Sequence, residues 1–113
     1  YTTLFRSKKM GTGRELYAAL EKILSMQNIL NLNACIAYPC EAEDPYLTRD
    51  SVQFHKRLGY QFAGKFHRCG YKFGRWYHMI WMEKFLGGHT ENPPAVKSFG
   101  EVRSLVAEKL GIW

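Results

Sequence analysis

Between residues 16 and 38 the hydrophobic pattern changes period, and that change constrains the fold more than any other feature of the chain. Leu16, Leu20, Ile23, Leu24 and Gln27 recur at spacings of three and four, with Arg14, Glu15, Glu21 and Lys22 mostly elsewhere on the cylinder. Such spacing predicts a helix over residues 12–27 with one stripe turned to a core. Residues 31–38, NLNACIAY, alternate instead, with Leu32, Ala34, Ile36 and Tyr38 pointing one way. Cys35 and Ala37 on the other side are apolar too, so the expected strand is buried on both faces, as in a mixed sheet beneath helices. Pro39 stops it, because proline has no N–H for a ladder.

The rest of the chain continues the alternation. Residues 1–5 read as the end of a strand, and residues 6–11, RSKKMG, as a basic loop. An acidic loop with two prolines spans 39–47. A short helix over 49–58 follows, with Thr48 or Asp50 as N-cap and Gly59 at its C-terminal cap. Residues 60–68 and 75–85 are aromatic-rich strands, and Gly70 and Gly74 mark a hairpin with a long or bulged connection. Residues 87–97 form a linker. Ser98-Phe-Gly-Glu101 fits a capping box that opens a last helix, with Val102, Leu105, Val106 and Leu110 on one face and Gly111 at its end. Strands alternating with helices define an α/β fold.

A length of 113 residues allows one small domain. Its net charge is +6, but the basic residues are scattered, and only Arg6, Lys8, Lys9 and Arg14 cluster. A nucleic-acid-binding domain needs its charge on one face, so no nucleic-acid partner is expected. Cys35, Cys40 and Cys69 show no CxxC spacing, which argues for a reducing compartment and a cytoplasmic location. His55, His67, His78 and His89 show no metal-ligand spacing, so no metal is expected. No apolar run approaches the ~20 residues of a membrane span, and no membrane partner is expected. The chain opens on strand-like residues without a Met, and the expectation is a piece of a longer domain.

The chemistry concentrates at Lys8-Lys9-Met10-Gly11-Thr12-Gly13, between a strand and a helix. The first N–H groups of a helix lack intrahelical acceptors and carry partial positive charge, so they suit a phosphate. Glycines let a ligand approach the backbone, and Lys and Arg add charge. A dinucleotide fingerprint would need glycine where Leu16 stands, and a Walker A loop would need Gly-Lys-Ser/Thr, which is absent. From these residues alone, a phosphate loop and a tight strand-to-helix turn both remain open.

This loop resembles the acyl-CoA loop of GNAT N-acyltransferases, Gln/Arg-x-x-Gly-x-Gly/Ala, with Lys8 in the Gln/Arg place. Ser51-Val-Gln-Phe-His-Lys-Arg-Leu-Gly-Tyr60 resembles the family's Asn-x-x-Ser-x-x-x-Tyr/His-x-x-x-Gly-Phe/Tyr segment. His55 falls on the Tyr/His position, and Thr48 replaces the Asn. Gly70-Tyr-Lys-Phe-Gly-Arg-Trp76 is similar to the Gly-x-Lys-Phe-Gly-Arg-Trp-x-Asp segment of the phosphinothricin acetyltransferase branch, with His78 in place of the Asp. Together the three segments cover residues 1–85.

The resemblance implies a GNAT-like mixed sheet with flanking helices, whose N-terminal strands and helices are missing. Residues 1–86 would be the C-terminal half of that domain, and 87–113 a linker and short amphipathic helix that match nothing in it. It implies acetyl-CoA as cosubstrate, with Lys8, Lys9, Met10, Gly11, Thr12, Gly13 and Arg14 holding the pyrophosphate through main-chain amides. A small-molecule amine would attack the thioester directly in a ternary complex, with His55 as the acid on the thiolate side. Tyr38 and Trp76 would line the acceptor pocket, and Arg75 would face an acidic acceptor or solvent. Without the early strands one sheet edge and one helix face would be exposed, and a homodimer stays open. A non-catalytic acyl-CoA-binding module is the alternative.

Overall fold

In the computed structural model, which describes residues 12–41, 44–45 and 47–111, helices and strands fall where the hydrophobic periods place them. They are α1 (Thr12–Met26), β1 (Asn31–Pro39), α2 (Asp50–Arg57), β2 (Gln61–Lys72), β3 (Arg75–Phe85) and α3 (Phe99–Leu110). The strand expected at 1–5 and the loop at 6–11 lie outside the described residues, and so does any parallel pairing they would add. The chain divides into two units. One is Asn31–Phe85; the other joins the segment ending at Leu30 to the segment beginning at Leu86.

In the first unit the strand order is β1-β3-β2, antiparallel throughout. The hairpin joining β2 to β3 is tighter than the glycine spacing predicts. Lys72 pairs with Arg75, and the two residues between them, Phe73 (φ +56°) and Gly74 (φ +70°), are both left-handed. A two-residue turn of that hand matches the twist of the flanking strands, so the strand runs through Gly70 to the turn. The expected irregularity lies within β2, where the register shifts between Phe62 and Gly64 and again between Phe66 and Gly70. At the second shift, residues 67–69 oppose His78, with Arg68 left-handed (φ +47°).

Helix α2 packs on the face bearing Ile36, Ile80 and Met82, and its Val52, with Tyr60 just beyond it, completes the core. Its N-cap is Arg49, without a side-chain cap bond, rather than Thr48 or Asp50. Thr48 Oγ1 nevertheless accepts the Asp50 N–H at 3.3 Å, doing part of a cap's work. Leu58 is the C-cap, and Gly59 follows it at φ +97°. The Lys84 ammonium donates to the Leu58 carbonyl, placing a cation at the negative end of the helix.

The opposite face of this sheet corrects the expectation of two buried faces. Cys35 is exposed, and its Cα partner Trp81 is 39% exposed. Phe66 and Phe85 on the same side are more open still. Among the described residues the unit holds one helix and it covers one face, so β1 alternates as a one-sided strand does.

In the second unit, Ile23 of α1 meets Val102 and Val106 of α3, with Met26, Phe99 and Leu110 alongside. The stripe along α1 is buried only at this end: Leu16 and Leu20 are 47% and 43% exposed. Leu105 of α3 is likewise exposed rather than on the buried face. Helix α1 stops in a Schellman motif, in which Ile29 N–H donates to Leu24 O and Asn28 N–H to Ser25 O. Asn28 takes the left-handed position at φ +65°, which asparagine tolerates better than most residues. The capping box of α3 is complete, with Ser98 Oγ accepting Glu101 N–H and Glu101 Oε2 accepting Ser98 N–H. Gly111 ends it at φ +67°.

Candidate functional site

Of the expected phosphate loop, Lys8, Lys9, Met10 and Gly11 lie outside the described residues. Thr12, Gly13 and Arg14 form the opening of α1. Helical geometry leaves the first four amides of such a helix without intrahelical acceptors and oriented along the axis. Gly13 puts no side chain beside them, and Arg14 is exposed. This arrangement fits a diphosphate, because an anion there gains both the hydrogen bonds and the helix dipole.

His55 belongs to the other unit and is 7% exposed. Its Nδ1 lies 2.7 Å from the Ser51 carbonyl one turn earlier. A carbonyl can only accept, so Nδ1 carries the proton and Nε2 is the ring's basic atom. The ring sits edge-on to Tyr60 and Phe54, at 5.1 and 5.7 Å between centroids, which locks its orientation. A fixed tautomer in a fixed ring suits proton transfer through Nε2.

Tyr38, near the end of β1, is half-buried and flanked by cations. The Arg49 guanidinium lies 5.1 Å from its ring centroid and the Lys65 ammonium 5.4 Å. Its Cα partner on β3 is His78. The register shift in β2 turns the Arg68 N–H toward His78 Nδ1, at 3.0 Å, and brings the His67 ring within 5.2 Å. Burial holds His78 below the usual imidazole value, and Lys65, His67 and Arg68 push it the same way. With Nδ1 accepting, neutral His78 carries its proton on Nε2. Tyr38 thus has two cations against its ring and His78 beside it on β3. Arg49, Lys65 and His78 were not among the expected site residues; strand register brings Lys65 and His78 to Tyr38, and the start of α2 brings Arg49.

Trp76 lies two residues from His78 on the same side of β3, is 51% exposed, and packs against Tyr71 at 4.9 Å between centroids. It sits at the hairpin end of β3, opposite Tyr71. Arg75 meets the acidic loop after β1. Its Nη1 donates to Glu41 at 2.9 Å and lies 3.9 Å from Asp44, whose carboxylate also accepts the Leu47 N–H and the Tyr77 hydroxyl. These contacts tie the loop after β1 to β3. Among the described residues no three His, Cys, Asp or Glu side chains converge as metal ligands would, and no helix is long and apolar enough to cross a membrane.

The model of the acetyltransferase (GNAT) domain matches residues 1–81, so the chain belongs to the GNAT acetyltransferase family. A phosphinothricin N-acetyltransferase of Streptomyces coelicolor is 34% identical over 76 residues, covering 67% of this chain and 40% of that protein. Another, of Streptomyces viridochromogenes, is 33% identical over 81 residues, 71% of this chain and again 40% of the relative. The chain therefore spans about two fifths of the length of these relatives. Among solved structures, a putative acetyltransferase from Salmonella typhimurium with its cofactor acetyl-CoA superposes with a TM-score of 0.63. It is 25% identical and covers 78% of this chain and 46% of that one. An N-acetyltransferase from Staphylococcus aureus shares the fold at a TM-score of 0.58 over 73% of this chain and 45% of that one, with 23% identity.

Proposed function

We propose that this chain is the acetyl-CoA-binding part of an N-acetyltransferase whose acceptor is a small amine bearing an acidic group. The observation that carries the reading is the opening of α1 at Thr12-Gly13-Arg14 within a stretch that matches the GNAT domain. The acetyl-CoA complex of the Salmonella typhimurium relative supports the cosubstrate.

Acetyl-CoA supplies a thioester acetyl group. The amine nitrogen forms the new C–N bond, the C–S bond breaks, the amine loses a proton and the thiolate gains one. The amides at the start of α1, with Lys8 and Lys9 before them, hold the pyrophosphate and so fix the reactive end. Fixing both reactants in one complex can supply about 7–11 kcal/mol of the barrier reduction. With Nδ1 held by Ser51, His55 serves the thiolate side through Nε2, which first takes up the proton the amine loses and then donates it to the departing thiolate. The acceptor's acidic group meets Arg49, Lys65 and the Nε2–H of His78, while Tyr38 provides a wall. The names of the two Streptomyces relatives make phosphinothricin one acceptor to try.

The test is thiol release from acetyl-CoA by the full-length protein across paired amines, each with and without a carboxylate or phosphinate. The proposal expects turnover of the acidic member of each pair, with a KM that rises with salt because the contact is between partly exposed charges. Equal turnover of the neutral members removes the acidic acceptor. Tight CoA binding with no thiol release from any amine favours a non-catalytic acyl-CoA-binding module, a reading that the depth of His55 also supports.

A further inference from the structure

The GNAT model ends at residue 81, yet Val106, one of the two most deeply buried large side chains among the described residues, lies far beyond it at 0% exposure. The segment after Leu86 does not leave the fold as a linker. Leu86 N–H donates to the Leu30 carbonyl at 2.7 Å. Lys97 and Gln27 then exchange a reciprocal pair: Lys97 N–H to Gln27 O at 2.8 Å, and Gln27 Nε2 to Lys97 O at 3.1 Å. Asn28 Nδ2 donates to the Ala95 carbonyl at 2.9 Å. Beyond these bonds α3 lays Val102 and Val106 on Ile23, with Met26 beside them.

All these contacts grip the last turns of α1 and the short stretch from Gln27 to Leu30. The helix has 15 residues, a length at which an isolated helix is marginal in water and draws its stability from packing. Its N-terminal half contributes little of that packing, since Leu16 and Leu20 are 47% and 43% exposed. A helix held at one end transmits that hold along its hydrogen-bonded axis to the other, about 20 Å away at 1.5 Å per residue.

We propose that the segment from Leu86 to Leu110 is a brace that positions the acyl-CoA-binding end of α1, with Gln27 and Val106 as its positioning residues. The proposal rests on the reading of Thr12-Gly13-Arg14 as the diphosphate site. Neither Gln27 nor Val106 touches the ligand. Both act by keeping α1 formed and fixed, so that its first amides point as a set. The tail, which the family model does not include, thereby becomes a determinant of cofactor affinity.

The experiment compares full-length wild type, Gln27→Ala and Val106→Ala. It measures CoA affinity by calorimetry, KM and kcat with acetyl-CoA, and hydrogen exchange of the amides of residues 12–26. Residues coupled to a ligand at a distance shift its affinity about 2- to 30-fold, and the brace predicts weakening in that range for both variants. The KM for acetyl-CoA rises in step, kcat and the acceptor KM stay near wild type, and exchange in 12–26 accelerates. Gln27 lies at the helix end and Val106 in the core, so a folding failure of Val106→Ala leaves Gln27→Ala to decide. Unchanged affinity despite faster exchange, or a fall in kcat with KM unmoved, overturns the proposal, because a merely structural tail would do that. Failure of the wild type to bind CoA sinks the diphosphate reading instead. Unchanged protection of 12–26 in both variants, with CoA still bound by the wild type, overturns the brace alone.

Discussion

Replacing His55 with phenylalanine separates its chemistry from its packing. The ring is 7% exposed, edge-on to Tyr60 at 5.1 Å and to Phe54 at 5.7 Å. Phenylalanine keeps a ring of similar shape in those contacts and loses the bond from Nδ1 to the Ser51 carbonyl at 2.7 Å. One such bond contributes about 1 kcal/mol, so the urea midpoint should fall by roughly 0.3–1 M for an m-value of about 1–3 kcal/mol/M. A protein with even about 5 kcal/mol of stability stays folded after that loss. Positioned proton transfer is worth about 10²–10⁴ in rate, or about 2.7–5.4 kcal/mol of barrier. The two effects are therefore separable: kcat should fall at least about 100-fold while the midpoint moves little. His55→Tyr, which installs the other residue of the family's Tyr/His position, should recover part of the loss. The assay is thiol release at saturating acetyl-CoA beside urea denaturation of the same preparations. A His55→Phe enzyme with kcat within about threefold of wild type, less than 1 kcal/mol of barrier, would refute the proton-transfer role and make His55 a packed core residue.

Two further outcomes concern the first unit. Met82 is 1% exposed at the centre of the sheet core, and Met82→Ala should cost about 2–5 kcal/mol through lost burial and a cavity, read by chemical denaturation. His78 has its folded pKa depressed below 6.5 by burial and by Lys65, His67 and Arg68. The unfolded chain therefore binds that proton more readily, and stability is full above pH 6.5 and falls as pH drops from there toward the folded value. Thermal melts of wild type and His78→Gln between pH 7.5 and 5 should diverge, with the wild type losing more on acidification; parallel losses would contradict this.

Element identity was legible because period is a local property. Helix α1 was expected at 12–27 and lies at Thr12–Met26, and Gln27-Asn28 was the right stop because asparagine accepts the left-handed cap. Coverage of a face was not legible. The spacing of Leu16 and Leu20 tells which side of the helix they share, but not whether anything packs there. The same holds for Cys35, whose apolar character suggested burial on a face that no helix of its unit covers. The tightness of the turn at Phe73-Gly74 was hidden because phenylalanine gives no sign of a left-handed backbone, and only the glycine beside it does. Tyr38, His55 and Trp76 lie on a strand, a helix and a strand, as their local patterns indicate. The cations around Tyr38 and the tie from Gln27 to Lys97, seventy residues apart, are products of register and tertiary packing, which no local pattern encodes.

The account turns on main-chain amides at the head of α1 gripping the diphosphate of CoA. The most direct measurement is calorimetric titration of CoA into the full-length protein, wild type against Gly13→Trp, with helicity checked by circular dichroism. The account predicts saturable binding by the wild type and at least about a tenfold loss, 1.4 kcal/mol or more, when an indole stands at position 13 in a protein that is still folded. Equal affinity in the two would contradict it.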